Sequence, residues 1–304
     1  MEQVTEYKEL VLSARGDLPA AAAPHASHAT ISESIGQPQA IPTRRRKSIG
    51  RGAFGSVVVQ PCGTRVIKTA RKGSSPRNHK THMRTILREC SVYIHLPTHQ
   101  RLLPFYDCAA TPVSASITLG YCKNGNLYDY LEAHPEATLC QRTIWCIEAT
   151  EGLAHLHRHK VIHCDLRPDN FLVDDDLRLR IIDFGGSAID DDIPLAAEAE
   201  GYFLPRPPPW ACNTATDLFA LGSTLYHIVT GHRPHQDRAP QDDITASFER
   251  KEYPDDVHTL LIGAVVLKCW KSEYKYAADV YYELVPLMDR FRAEAENTQG
   301  GGRA

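Results

Sequence analysis

Three oxygen-bearing side chains stand close together in the second half of the chain. They are Asp165, Asn170 and Asp183, in the run from Val161 to Gly185. Carboxylate and amide oxygens are the donors that hard divalent cations such as magnesium accept. A loose phosphoryl-transfer transition state requires positioning and charge neutralisation more than covalent help, so one acid should face a hydroxyl and another a cation. Taken singly, each acid reads equally well as a turn or capping carboxylate, where Asp is most at home. Only their occurrence together, in this order and behind a suitable phosphate site, favours chemistry.

Such a site is offered by Gly50-Arg51-Gly52-Ala53-Phe54-Gly55-Ser56-Val57, of the form GxGxxGxV. Glycines let backbone amides approach phosphate oxygens with no Cβ in the way. A dinucleotide-binding fold can show the same spacing, but no acid stands about 20 residues past Gly50 to hold a ribose, and more strand follows Val57 in place of a helix. In a P-loop a lysine follows the last glycine, where this chain has Ser56. The next cation inside an apolar run is Lys68, in Arg65-Val66-Ile67-Lys68.

These segments resemble the motifs of eukaryotic-type protein kinases. Arg65 to Lys68 is similar to the V-A-I-K strand, His163-Cys164-Asp165-Leu166-Arg167-Pro168-Asp169-Asn170 to H-R-D-L-x-x-x-N, and Asp183-Phe184-Gly185 to D-F-G. The resemblance covers about residues 44 to 290. It implies ATP and Mg2+ as cofactors and a protein as substrate. By this resemblance Asp165 orients the substrate hydroxyl and accepts its proton, while Asn170 and Asp183 hold the metal. Lys68 neutralises the α and β phosphates, Glu89 holds Lys68, and Arg167 contacts the γ-phosphate in place of the more usual lysine. Gly50, Gly52 and Gly55 cover the phosphates; Val57, Val66 and Leu172 sandwich adenine; Leu119 guards the deep pocket; Tyr121 and Cys122 offer hinge backbone groups. Tyr93, Phe105, His163 and Phe184 form a hydrophobic spine, and Asp217 anchors the catalytic loop. Leu166 to Asn170 favours serine/threonine over tyrosine specificity.

Besides Arg167, further positions depart from the family pattern. Cys164 replaces the arginine beside the catalytic aspartate, which removes the cation that would bind a phosphorylated activation segment. That segment, Asp183 to Pro205, carries Asp190-Asp191-Asp192 and, besides Tyr202, only Ser187 as a hydroxyl, so it should not be switched by its own phosphorylation. Leu204-Pro205-Arg206 stands for A-P-E, with Lys275 as the candidate partner of the altered position. Ala199 stands where a threonine would help to place the substrate. An active kinase is the first reading. A pseudokinase acting as nucleotide-binding scaffold or regulator is the alternative, and a small-molecule kinase is disfavoured by Asp217 to Gly222 and Tyr202 to Pro205.

The elements that must hold these residues read as an α+β plan, a two-lobed kinase-like fold with a small β-rich lobe and a larger helical one. Short strands are predicted at Ser56 to Gln60, Arg65 to Thr69, Leu103 to Cys108 and Ser116 to Leu119, with one helix from Met83 to Leu96. Helices follow at Leu139 to His159, Asp217 to Thr230 and Thr259 to Trp270, the middle one closed by Gly231. The kinase-like domain is expected over 44–292, its lobes meeting near 121 and 122. A disordered extension is expected over 1–43 and a flexible tail over 293–304.

Hydrophobic residues make up 42% of the 304, enough for a sizeable core. A net charge of −3 gives no reason to expect nucleic acid or a membrane surface as partner. No signal peptide pattern opens the chain, and the longest apolar run, Leu260 to Leu267, is too short to span a bilayer. Nine cysteines with no CxxC pair suit a reducing, intracellular, cytoplasmic setting, and Cys90, Cys146 and Cys269 read as small core residues. The run Arg44 to Lys47 is a candidate nuclear-import patch, although a solvated charge run is the plainer reading.

Overall fold

The computed structural model describes residues 47–51, 55–190, 192–237 and 243–300. The extension expected over 1–43 lies outside them, as does Gly52. A five-stranded antiparallel sheet comes first: β1 (Lys47–Arg51), β2 (Gly55–Val59), β3 (Arg65–Ala70), β4 (Phe105–Thr111) and β5 (Ser114–Gly120), in the spatial order β1-β2-β3-β5-β4. Helix α1 (Pro76–His95) packs on this sheet between β3 and β4.

Two of these elements differ from their predicted bounds by more than two residues at one end. β4 starts at Phe105 and runs to Thr111, because Pro104 has no N–H to give a ladder and the strand continues into the tight turn before β5. α1 starts seven residues earlier than its apolar period suggests. The Ser75 side chain caps it by accepting from the Asn78 N–H, and Pro76 opens the first turn, but the polar residues behind it carry no apolar signal.

Beyond Gly120 the fold is mainly helical: α2 (Leu127–Ala133), α3 (Leu139–Arg158), α4 (Thr214–Thr230), α5 (Ile244–Glu249), α6 (Gly263–Trp270) and α7 (Ala277–Gly300). Short strand pairs interrupt them. β6 (Val161–Ile162) pairs with β9 (Ala188–Ile189), and β7 (Phe171–Val173) with β8 (Leu179–Ile181). α4 has a full capping box of Asn213 and Thr216, and Gly231 closes it at φ 86°. The helix predicted from Thr259 divides into a 3-10 turn, Asp255–Thr259, and α6. Gly263 is the reason, since a Cβ there would collide with the Val257 carbonyl. α7 continues to Gly300, past the tail expected from 293, through the good helix formers Ala293 to Glu296. No helix among the described residues is long and apolar enough to cross a membrane.

The core is continuous, with Trp145, Leu153 and Leu156 of α3, and Phe219, Leu221 and Leu225 of α4, fully or almost fully buried. Cys90, Cys146 and Cys269 lie in it as expected. α3 and α4 therefore form a rigid floor, and the loops between β6 and β9 lie on it.

Candidate functional site

Strand pairing sets one wall of the cleft. Val57 is opposite Lys68, which is opposite Ile117; Val66 is opposite Leu119. Directly opposed residues, and residues two apart, share a sheet face. Val57, Val66, Lys68 and Leu119 consequently line one side. Gly55 opens β2 on that side, where a Cβ would come 3.2 Å from the Thr69 carbonyl oxygen and 3.3 Å from the Lys68 Cγ, so any side chain there would crowd the lysine. Gly50 sits on β1, paired with Val57.

Lys68 Nζ is 2.7 Å from Glu89 Oε2 of α1 and 2.6 Å from Asp183 Oδ1. Burial pulls the ammonium down, but the two carboxylates outweigh it and hold its pKa above the ordinary lysine value. Lys68 in turn holds the Asp183 carboxyl below its ordinary range. Burial pushes the Glu89 carboxyl up, with the Lys68 charge opposing it. Asp183 adopts a left-handed backbone, φ 65° and ψ 57°, which turns it towards the lysine while Phe184 turns inward. Phe184 is fully buried, edge-on to Tyr93 at 5.2 Å and to His163 at 5.6 Å, and Tyr93 stacks on Phe105 at 5.7 Å. All four expected spine residues are thus in one stack. Gly185 lets this turn lie against α1, where a Cβ would come 3.2 Å from the Thr85 carbonyl oxygen.

Asp217 fixes the opposite wall from the first turn of α4. It is wholly buried and accepts the backbone N–H of His163 at 2.8 Å and of Cys164 at 3.0 Å; His157 Nε2 is 3.0 Å away. Cys164 is buried with φ 68°, so the loop reverses there and presents Asp165. The Asn170 amide nitrogen donates to the Asp165 carbonyl at 2.6 Å and to its Oδ2 at 3.2 Å. Burial pushes the Asp165 carboxyl above its ordinary range, against the opposing pull of His163, Arg167 and Asn170. Leu172 lies on β7, bridged to Asn126.

With its nitrogen committed to Asp165, Asn170 has its carbonyl oxygen to offer a cation. Asp183 keeps Oδ2 beyond the Lys68 contact, and its side chain is 45% exposed. Two hard oxygen donors at the mouth of a cleft suit magnesium shared with phosphate oxygens.

Three expected positions behave differently. The Tyr121 N–H is committed to the Thr64 carbonyl at 3.0 Å, so its carbonyl is what it can offer a ligand, with buried Cys122 following. Arg167 Nε pairs with Asp169 Oδ2 at 2.7 Å, along the loop. Lys275 does not partner Arg206: it lies over the Tyr276 ring at 5.2 Å, and Arg206 pairs with Glu198 at 2.7 Å. Two cations have no reason to meet, and a nearer carboxylate was at hand. His157, Arg88 and Glu198 escape sequence reading, because each acts through a partner distant in sequence or through a turn with no periodic signal.

The protein kinase domain family matches residues 43–262. A leucine-rich repeat receptor-like serine/threonine-protein kinase of Arabidopsis thaliana is 27% identical over 251 residues, 75% of this chain and 25% of the relative. An SNF1-like protein kinase of Schizosaccharomyces pombe is 30% identical over 200 residues, 63% of this chain and 34% of the relative. A serine/threonine-protein kinase of Dictyostelium discoideum is 26% identical over 224 residues, 69% of this chain and 44% of the relative. The chain thus spans between a quarter and under half of these relatives.

Proposed function

We propose that this chain, which belongs to the protein kinase family, is an active enzyme that transfers the γ-phosphate of ATP to a protein hydroxyl, serine or threonine. One observation carries the reading: Lys68 joins Glu89 of the first lobe to Asp183 of the second, at 2.7 and 2.6 Å. A charged lysine fixed between two carboxylates is an arrangement prepared to meet phosphate oxygens.

Asp165 takes the substrate hydroxyl. Burial raises its pKa, which makes it a better proton acceptor than an ordinary aspartate. Lys68 neutralises the α and β phosphates, and Val57, Val66, Leu119 and Leu172 enclose the base. Asn170 and Asp183 would hold magnesium, which supplies charge neutralisation at the phosphates when bound. Asn170 also keeps Asp165 turned towards the hydroxyl. The serine/threonine preference is supported by Leu166 to Asn170 and by the names of the relatives.

The domain is assigned to 44–292, dividing near Tyr121 and Cys122, which limited proteolysis with mass analysis would check. Nine free cysteines support an intracellular, cytoplasmic or nuclear setting, testable by imaging the tagged chain.

The test of activity is turnover. Purified chain, labelled ATP, magnesium and a generic protein substrate should give phosphoprotein, and Asp165→Asn should not. Equal signal from both proteins would overturn the reading in favour of a nucleotide-binding scaffold, for which the pairing of Arg167 with Asp169 is the specific observation. A peptide array would then separate serine and threonine from tyrosine.

A further inference from the structure

Two adjacent charged residues of α1 have different duties. Glu89 meets Lys68 in the cleft. Arg88, with 4% of its side chain exposed, reaches the segment that follows Asp183: Nη1 donates to the Ser187 carbonyl at 2.8 Å and lies 3.1 Å from Asp192 Oδ2. A guanidinium buried to this degree is strongly unfavourable without a countercharge. Because Arg88 and Glu89 follow one another on a single helical turn, a contact that fixes the first also fixes the rotation of the helix at the second.

The countercharge comes from the sequence itself. Asp192 is 51% exposed at the side chain, the solvent-facing end of the pair. Asp190, from the same acidic run, turns to Lys160 at 3.3 Å, and both of those are largely exposed. The hydroxyls between Asp183 and Pro205 are not free for modification. Ser187 is fully buried and donates to the His163 carbonyl at 3.1 Å; Tyr202 is buried with its oxygen 2.8 Å from His227 Nδ1.

The geometry points to Arg88 and Asp192 as a permanent clamp, in which an encoded carboxylate keeps α1 rotated so that Glu89 holds Lys68, with no covalent modification of the segment needed. They are positioning residues; neither touches the reacting atoms. The inference rests on the reading of the chain as an active kinase, and it sharpens the expectation drawn from Cys164 by naming what replaces the missing control.

The full chain is tested with Asp192→Asn, Asp192→Glu and Asp190→Asn. Two quantities are read: kcat/KM for ATP, and amide hydrogen exchange across residues 76–95. Asp192→Asn should lower kcat/KM about tenfold, the scale of one charge-assisted contact, and speed exchange in α1. Asp192→Glu should keep most of both, and Asp190→Asn should match the wild type. Wild-type exchange and kinetics in Asp192→Asn would overturn the clamp, as would an equal loss in Asp190→Asn. Loss of wild-type activity after phosphatase treatment would overturn it too. If the wild type shows no turnover, the kinase reading fails separately, and exchange alone decides: faster exchange in Asp192→Asn supports the clamp, and unchanged exchange overturns it.

Discussion

Arg206 closes on Glu198 within its own segment, 2.7 Å apart, with 12% and 0% of the two side chains exposed. Arg206 also donates to the carbonyls of Leu204 and Trp210, each at 2.9 Å, and lies over the Phe203 ring at 4.5 Å. The segment is therefore folded by a local knot of contacts in place of a tether to the C-terminal helices.

That arrangement makes Glu198 critical for stability and Lys275 dispensable. Glu198→Gln leaves a buried cation without its countercharge, a loss of about 3–5 kcal/mol. Replacing Glu198 and Arg206 together by leucine should recover much of it. Lys275→Ala, where the side chain lies over the Tyr276 ring, should fall within about 0.5 kcal/mol of wild type. Denaturant midpoints of the four proteins decide; equal losses in Glu198→Gln and Lys275→Ala would refute the local knot.

The raised Asp165 pKa has opposite consequences for activity and stability. Transfer needs the ionised carboxylate, so kcat should fall on acidification through a midpoint above the ordinary aspartate value of 3.8. In folding, a carboxyl whose native pKa lies above its unfolded value holds its proton more readily in the native state. Between those two values stability declines as pH rises, and the ionised group is a cost at neutral pH. Asp165→Asn should then melt at a higher temperature than wild type at neutral pH, lose that advantage below the ordinary aspartate range, and lower kcat by about 10²–10⁴-fold. A lower melting temperature at neutral pH would show that burial is not the dominant influence on this group.

The parts of this molecule that were legible in sequence are those with a local signature. Strand alternation and turn residues marked Val57 to Val66, and the Asp183-Phe184-Gly185 run marked where the spine meets the cleft, but not the left-handed backbone at Asp183. The start of α1 was not legible, because Ser75 to His82 offers a cap but no apolar period. The split of the helix before α6 depends on the approach of Val257 to Gly263, a contact between backbones that composition does not record. The partner of Arg206 was misassigned for a related reason: ion pairing is set by proximity in the fold, and Lys275 and Glu198 were equally silent in sequence.

Lys68 serves both the fold and the chemistry, and its two roles can be separated. Glu89 is 1% exposed and shares Lys68 with Asp183, whose side chain is 45% exposed, so Lys68→Met leaves two neighbouring carboxylates, one of them buried, without the cation between them. Stability should fall by about 3–5 kcal/mol and transfer by at least about 10²-fold. Lys68→Arg keeps the charge but exchanges a compact ammonium for a planar fork. It should regain most of the stability and little of the activity. Thermal melts and ATP titrations of both variants check this, and an inactive Lys68→Met that melts like wild type would leave the lysine with a chemical role only.

Asp217 is the residue through which the core positions the catalytic loop. Its two oxygens serve two backbone amides, His163 N–H at 2.8 Å and Cys164 N–H at 3.0 Å, with His157 Nε2 also at 3.0 Å. Asn in its place offers one acceptor and a nitrogen that is itself a donor, so one amide is left buried and unsatisfied at about 1–3 kcal/mol. Cys164 then matters. A non-glycine residue held at φ 68° is strained by about 1–3 kcal/mol and stays there only while its surroundings require it. Released from Asp217 it should relax, and Asp165 should move with it. For Asp217→Asn we therefore expect kcat to fall about 10²-fold per folded molecule. KM for ATP should change little, because Lys68, Glu89 and Asp183 are untouched. Normalising to folded protein separates this from simple loss of stability, and a variant with wild-type kcat but a higher KM would place the anchor's effect at the nucleotide in place of the hydroxyl.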